Sequence, residues 1–190
     1  MKQTNLYQIK ELALKSGRAV YSIQQLANLI KKPKSIAKVY SSRLVNKGLA
    51  KRILQGKISF IDDDFIIASQ LIEPSYISLT SALLFHKLIQ QMPANVECVT
   101  TKNSRRYKNA GIVYHKIPCS LFYGYEKYKN GPSYIFAADA EKALVDSVYL
   151  NSISKNSIGE MLSKLDKKKL EDYINRFKGR GKKKLVKALL

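Results

Sequence analysis

Six residues in the middle of the sequence have side chains that could perform acid–base or nucleophilic chemistry: Ser81, His86, Thr101, Glu141, Lys142 and Asp146. On a helix, Lys142 and Asp146 share a face as an i,i+4 pair, while Glu141 lies beside that face. The sequence contains no glycine-rich phosphate-binding loop, no G-x-S-x-G nucleophile elbow and no metal-ligand quartet. We therefore predict that these residues have structural roles, that none is catalytic and that the protein is not an enzyme.

Metal binding is the next chemistry to consider. The soft donors of the chain are Cys98, Cys119, His86 and His115, and their spacing matches no zinc pattern. The two cysteines are typical of buried thiols in a reducing compartment. The aspartates at 62–64 precede an apolar segment, where carboxylates cap a helix more often than they bind Mg²⁺. We predict no metal and no cofactor.

A second group of functional side chains lies in the stretch PKSIAKVYSSRLVNKGL, residues 33–49. A helix turns by about 100° per residue, which would place the apolar side chains of this stretch on one side: Ile36, Ala37, Tyr40 and Leu44. The opposite side carries hydroxyl, amide and ammonium groups, which are the types that contact base edges and phosphates. A merely solvated helix usually mixes both charge signs. This one contains no acidic residue, which favours DNA.

The residues that we predict to contact DNA lie on this helix and on the basic segment after it: Lys34, Ser35, Lys38, Ser42, Arg43, Asn46, Lys47, Lys51, Arg52 and Lys57. RNA fits the same surface less well, because the major groove of an A-form duplex is too narrow for an α-helix. Docking of a protein partner on this surface is the other alternative.

The positions of these residues depend on elements whose signals lie in residues 1–61. Apolar spacing predicts a helix over residues 6–16, and Ser22 with Gln25 forms a capping box that begins a second helix. Gln55-Gly56 predicts the turn of a basic β-hairpin. The order of three helices followed by a hairpin predicts a winged helix-turn-helix DNA-binding domain.

Residues 62–190 show mixed signals that predict an α+β domain, a small sheet covered by helices. Helices are predicted at 65–72, 77–89 and 140–150, and strands at 96–101, 111–117, 125–128 and 134–137. Residues 104–108 are predicted to be a basic loop. Residues 151–190 are predicted to be a basic C-terminal segment with helices at 158–165, 167–177 and 182–190.

The net charge of +20 is unevenly distributed along the chain. Residues 1–60 carry a net charge of +12, residues 61–150 are neutral, and residues 151–190 carry +8. A neutral middle between two basic ends indicates separate modules, at least the first with a polyanion as its partner. No stretch reaches the ~18 consecutive apolar residues of a membrane span, and the N-terminus lacks the apolar run of a secretory signal. A cytoplasmic protein without a membrane partner is expected.

The sequence resembles the AbiEi-type antitoxins, the antitoxin halves of type IV toxin–antitoxin systems. The motifs that carry the resemblance occur in order: Tyr76-Ile77-Ser78, Ser81-Ala82-Leu83, His86, Leu88, Thr100-Thr101, Tyr114-His115, Phe122-x-Gly124 and Glu141-Lys142-Ala143-Leu144-x-Asp146. The resemblance covers roughly residues 5–185 of the chain. One departure is Lys87, where the family often has glycine after the histidine.

This resemblance implies a winged-helix domain that binds operator DNA upstream of its own operon and represses transcription. It also implies an α+β antitoxin domain that counteracts a nucleotidyltransferase toxin encoded beside it, without requiring a stable complex. Direct binding to the toxin and a role as an accessory of an RNA-directed enzyme remain alternatives. No small-molecule substrate is expected.

Overall fold

The computed structural model describes residues 5–190, apart from the side chains of residues 155 and 156. The chain is a mixed α+β protein that divides into two compact units. The first unit comprises Met1–Leu71 with Lys129–Ile135, and the second comprises Ile72–Tyr128 with Phe136–Leu190.

Helices and a small sheet alternate in the first unit. Its elements are α1 (Leu6–Lys15), β1 (Val20–Ser22), α2 (Ile23–Ile30), α3 (Lys34–Asn46), β2 (Lys51–Leu54), β3 (Lys57–Ser59) and α4 (Asp64–Leu71). The strands form an antiparallel sheet in the order β1-β3-β2. The predicted capping box is confirmed, because the side chain of Ser22 accepts from the backbone of Gln25 while the Gln25 side chain accepts in return. The predicted turn is also confirmed, with Gly56 at φ +76°.

The first compact unit extends ten residues beyond the boundary that we predicted after residue 61, because α4 belongs to it. Gln70, near the end of α4, is 2% exposed and accepts hydrogen bonds from the backbone of Ala19 at 2.8 Å. Its amide also donates to the hydroxyl of Ser133 at 3.0 Å and to the carbonyl of Tyr134 at 2.9 Å. The buried amide of Gln70 holds α4 in the unit, because breaking its hydrogen bonds would leave buried polar groups unsatisfied.

The other strands of the chain form a six-stranded sheet. Its strands are β4 (Ser75–Ile77), β5 (Val96–Thr100), β6 (Arg105–Tyr107), β7 (Ile112–Lys116), β8 (Tyr125–Asn130) and β9 (Ser133–Ala138). They follow the order β6-β7-β5-β4-β9-β8. β5 pairs in parallel with β7, whereas β4 and β6 pair antiparallel with β5 and β7 respectively.

Two segments of this sheet differ from the sequence-based predictions. Ser75–Ile77 is a strand, although residues 77–89 were predicted to be helical, and the helix begins only at Leu79. Tyr76 and Ile77 are both 0% exposed, which is typical of a strand covered on both faces. Residues 105–107 form the edge strand β6 instead of a loop, because they pair with β7.

Helices accompany this sheet: α5 (Leu79–Phe85), α6 (Ala140–Tyr149), α7 (Lys155–Leu162), α8 (Lys167–Asn175) and α9 (Gly179–Leu189). α7 begins three residues before its predicted start, after Ser154 instead of Ser157. Gly179, predicted to separate the last two helices, is the first residue of α9. None of the helices in residues 5–190 is both long and apolar enough to cross a bilayer.

The two cysteines differ in their surroundings, which corrects the prediction that both are buried. Cys98 lies inside β5, where burial raises the pKa of its thiol. Cys119 is exposed in a short 3₁₀ turn that follows Pro118 and the end of β7. Both thiols are free.

Candidate nucleic-acid interface

α3 is packed through small side chains. Ala37, Ser41 and Leu44 are buried, and Tyr40 is half-buried. Ile36, which we predicted to face the core, is 42% exposed. Ala37, Tyr40 and Leu44 thus face inward as predicted, and the buried face includes Ser41, one turn after Ala37, in place of Ile36.

The outward face of α3 follows one line along the helix. Ser35, Val39, Ser42 and Asn46 recur at helical spacing, and all are exposed. Val39, which the sequence placed at the margin of this face, lies at its centre and is 47% exposed. The face thus combines hydroxyl and amide groups with one exposed branched apolar side chain.

A groove lies between α3 and the β2–β3 hairpin, with a volume of about 450 Å³. Ser35, Lys38 and Val39 line it from the helix. Arg52 and Gln55 line it from the hairpin. The hairpin residues Leu54 and Gln55 were not among the predicted contacts, because only the paired β2 and β3 bring them beside α3.

Most of the predicted cations of this surface are available to an anionic partner. Exposed ammonium and guanidinium groups come from both elements: Lys34, Lys38, Arg43, Lys47 and Arg52. In the part of the chain that the structure describes, no ion pair involves any of these five groups. α3 itself carries no acid. Their charges are therefore not neutralised by the protein.

Two other predicted cations are engaged elsewhere. Lys51 lies 2.7 Å from Asp62, and this hydrogen bond holds the pKa of Lys51 above its ordinary value. Lys57 donates from its ammonium group to the carbonyl of Leu71. The structure therefore removes Lys57 from the set that can reach a partner without rearrangement. It leaves Lys51, more than half exposed, as a partly neutralised contact.

Four of the motif residues, Tyr76, Ser78, Lys142 and Asp146, meet in a buried network in the second unit. Lys142 is 0% exposed and Asp146 is 1% exposed, and the predicted i,i+4 ion pair between them is confirmed. Asp146 also accepts hydrogen bonds from the hydroxyls of Tyr76 at 3.0 Å and Ser78 at 2.8 Å. The ammonium of Lys142 lies 4.9 Å from the centre of the Tyr123 ring, within cation–π range.

Gly124 makes room for this network. Its φ is +70°, and a Cβ atom there would lie 3.0 Å from Cγ of Lys142 and 3.0 Å from Cζ of Tyr173. Both the backbone conformation and the close approach favour glycine. Burial, followed by the charge of Asp146, raises the pKa of Tyr123 to about 12. The tyrosine hydroxyl therefore stays protonated beside the ion pair.

Glu141 belongs to a separate, less buried set of bonds at the start of α6. Its carboxylate accepts from the backbone of Asp166 at 3.1 Å and lies 3.3 Å from the ammonium of Lys169. Asp139 caps α6 by accepting from the backbone of Lys142 at 2.8 Å. These contacts hold α8 against α6.

The remaining motif residues are dispersed. Ser81 is buried and its hydroxyl accepts from the backbone of Glu97 at 2.9 Å. The His86 ring nitrogen Nε2 lies 2.8 Å from the carbonyl of Ala138. Thr101 is half-buried just after β5. These three side chains are thus not brought together with Lys142 and Asp146 into one site.

Lys87 departs from the family pattern at a position where the backbone conformation matters. Its φ is +59°, in the left-handed region. Glycine is the residue that adopts this conformation at least cost. Lys87 therefore adopts, at the end of α5, a backbone conformation that glycine would adopt more readily.

Comparison of the sequence with models of known protein families gave no match, and comparison with curated proteins gave none either. The likeness to AbiEi-type antitoxins rests on the ordered motifs alone.

Proposed function

We propose that the first unit is a winged helix that binds DNA, and that the protein is a transcriptional autorepressor and antitoxin of the AbiEi type. The observation that carries the DNA-binding part is the outward face of α3, which contains no acid and is flanked by cations that form no ion pair within the described residues. The antitoxin part rests on the ordered motifs.

The α3 face suits the major groove of B-DNA. An α-helix fits that groove, where hydroxyl and amide side chains reach base edges. Asn46 and Ser42 supply such groups, and the methyl groups of Val39 can contact the methyl group of thymine. Arg52 lies on the β2–β3 hairpin, which borders the protein groove beside α3. Its guanidinium is suited to contact the phosphate backbone that flanks the bases.

The affinity for DNA from upstream of the chain's own gene should fall steeply with salt. Five available cations predict a slope of log affinity against log salt of roughly −4 to −5 per bound chain, because each neutralised phosphate releases counterions. Fluorescence anisotropy between 50 and 200 mM salt measures it. DNA of the same length and composition with a shuffled sequence is the control and should bind more weakly. A slope near zero would exclude this mode of binding.

The buried network supports a structural role for the family motifs. Both carboxylate oxygens of Asp146 already accept hydrogen bonds, one from Lys142 and the other from Tyr76 and Ser78. The ion pair is almost completely buried. A catalytic group must reach its substrate, whereas Lys142 is 0% and Asp146 is 1% exposed. We therefore infer that the second unit acts as an antitoxin without catalysis of its own.

Co-expression tests the antitoxin role. Growth that is arrested by the nucleotidyltransferase encoded next to this chain should recover when the full chain is expressed from a second promoter. The matched control is the same plasmid with a stop codon early in the reading frame. Continued arrest with soluble full chain present would reject the role.

A protein-docking role of α3 is the second candidate, and one observation favours it. Ile36 and Val39 are both more than two-fifths exposed on the same helix, and exposed apolar side chains are often buried by partners. If the chain co-purifies with the toxin and the Val39→Ser variant releases it without changing the affinity for DNA, this candidate replaces DNA binding as the role of the helix.

A further inference from the structure

A cleft in the second unit brings together four polar side chains from distant parts of the sequence. On the edge strand β6, Arg106 pairs with Val113 of β7, which in turn pairs with Glu97 of β5. Side chains of directly paired residues lie on the same face of a sheet, so these three form a row. His115, two residues after Val113, lies on that face too, and Thr80 of α5 completes the cleft.

Within the cleft, Glu97 is a charged acceptor. The hydroxyl of Thr80 donates to its Oε2, and Nε2 of His115 lies 3.5 Å from its Oε1. Burial alone would raise the pKa of Glu97, but the nearby imidazole of His115 and the hydrogen bond from the hydroxyl of Thr80 outweigh it and hold the pKa below its ordinary value. The carboxylate therefore stays ionised at neutral pH and can accept hydrogen bonds.

Two polar groups of the cleft form no hydrogen bond of normal length within the described residues. Nε2 of His115 is buried, and its 3.5 Å contact with Oε1 of Glu97 is too long for a normal hydrogen bond. Arg106 is exposed and forms no ion pair in that part of the chain. An unsatisfied buried nitrogen is costly, and a guanidinium is well suited to bind phosphate through two parallel hydrogen bonds.

Apolar and polar side chains line the cleft in similar measure. Ile89, Met92 and Pro93 line one side, and Met92 is 76% exposed. The volume is about 420 Å³, within the range of roughly 300–1,000 Å³ that small-molecule sites occupy. The cleft thus combines exposed apolar side chains, a cation on the edge strand and an ionised acceptor.

We propose that this cleft binds a nucleoside monophosphate. The phosphate contacts Arg106, the base lies against Met92 and Pro93, and an amino group of the base donates to Glu97. Adenine, cytosine and guanine carry such a group and uracil does not. The expectation from the sequence that the chain takes no small molecule would then need revision. The site is distinct from the α3 surface.

Isothermal titration of the full chain with AMP, CMP, GMP, UMP and inorganic phosphate tests the proposal. At least one amino-bearing nucleotide should bind at least about tenfold more tightly than UMP, because UMP lacks the exocyclic amino group that donates to Glu97. Binding of inorganic phosphate as tightly as any nucleotide would overturn the proposal, as would the absence of saturable binding at millimolar nucleotide.

A matched pair of variants locates the site. Arg106→Met and Arg106→Gln should each weaken nucleotide binding by roughly tenfold or more, since a charged hydrogen bond to phosphate is lost. The control Arg105→Met removes the same charge from the neighbouring residue, which is exposed and pairs with Tyr114 on the other face of the sheet. Equal losses in all three variants would indicate unspecific attraction and overturn the assignment.

The affinity for DNA separates this proposal from the proposed function. Arg106→Met should bind the upstream DNA as the unaltered chain does. If that variant loses DNA and nucleotide affinity together, the cleft is not an independent site and the proposal fails. If the unaltered chain binds nucleotide but no DNA, the proposed function fails and the cleft stands.

Discussion

Replacing Lys142 by methionine should lower the free energy of unfolding by about 3–5 kcal/mol, as is typical when one partner of a buried ion pair is removed. Lys142 is 0% exposed and Asp146 is 1% exposed, so the substitution leaves a carboxylate without its cation and away from water. The hydroxyls of Tyr76 and Ser78 still donate to Asp146, but neither of them carries a compensating charge. Urea denaturation of the full chain, followed by circular dichroism, measures the loss.

The matched control is Lys168→Met, which removes an exposed lysine from α8. Exposed substitutions usually change stability by less than about 0.5 kcal/mol. The double variant Lys142→Met with Asp146→Asn removes both charges and keeps an acceptor oxygen for Tyr76 and Ser78. We expect a coupling energy of about 1–3 kcal/mol between the two sites. Strictly additive losses would mean that the two side chains do not neutralise each other.

Removing three cations from the α3 surface should weaken binding to the upstream DNA by roughly a thousandfold, if each loses one charged hydrogen bond to phosphate. The variant carries Lys38→Ala, Arg43→Ala and Arg52→Ala, all at exposed positions. The slope of log affinity against log salt should become less steep by about three, because one counterion is released per contact. Anisotropy titrations at several salt concentrations give both quantities.

Lys51 provides an internal control for this variant, because it is adjacent to Arg52 but lies 2.7 Å from Asp62. A triple variant with Lys51→Ala in place of Arg52→Ala removes the same formal charge. Its slope of log affinity against log salt should change by only about two. A lysine that is already paired with a carboxylate neutralises little phosphate charge, so few counterions are released when it binds. Identical slopes for the two triple variants would show that net charge alone governs binding.

Asn46→Ala separates base contacts from phosphate contacts. Asn46 is exposed on the outward face of α3 and carries no charge. Its loss should weaken binding to the upstream DNA but not to the shuffled DNA, with the salt slope unchanged, because an amide reads bases and releases no counterion. An equal loss for both DNAs would mean that this face does not read sequence.

Signals from residues close together in the sequence predicted the elements of the first unit well. The capping box at Ser22 and the turn at Gly56 depend on residues close together in the chain, and both are present. The uneven distribution of charge and the acid-free α3 can also be read directly from the sequence. Helical periodicity located α3 and its buried residues Ala37 and Leu44, but it missed the burial of Ser41 and the 42% exposure of Ile36. A small polar residue can pack closely where its backbone must approach a neighbour, and periodicity alone does not reveal it.

Other elements depend on contacts between segments that lie far apart in the sequence. Ser75–Ile77 resembles the start of a helix, but pairing with β5 and β9 makes it a strand. The same is true of Arg105–Tyr107, which is a strand only because β7 lies beside it. The sequence predicts that Lys57 contacts DNA, but its ammonium group donates to the carbonyl of Leu71.

By itself, the sequence determined the helices of the first unit, its hairpin turn, the basic surface and the i,i+4 relation of Lys142 to Asp146. Only the tertiary structure decided that this ion pair is buried beneath Tyr76, and that Arg106 and His115 share a cleft with Glu97. The physical reason is range. Caps, turns and helical faces depend on neighbours within a few residues, whereas burial and sheet register depend on which distant strands pair.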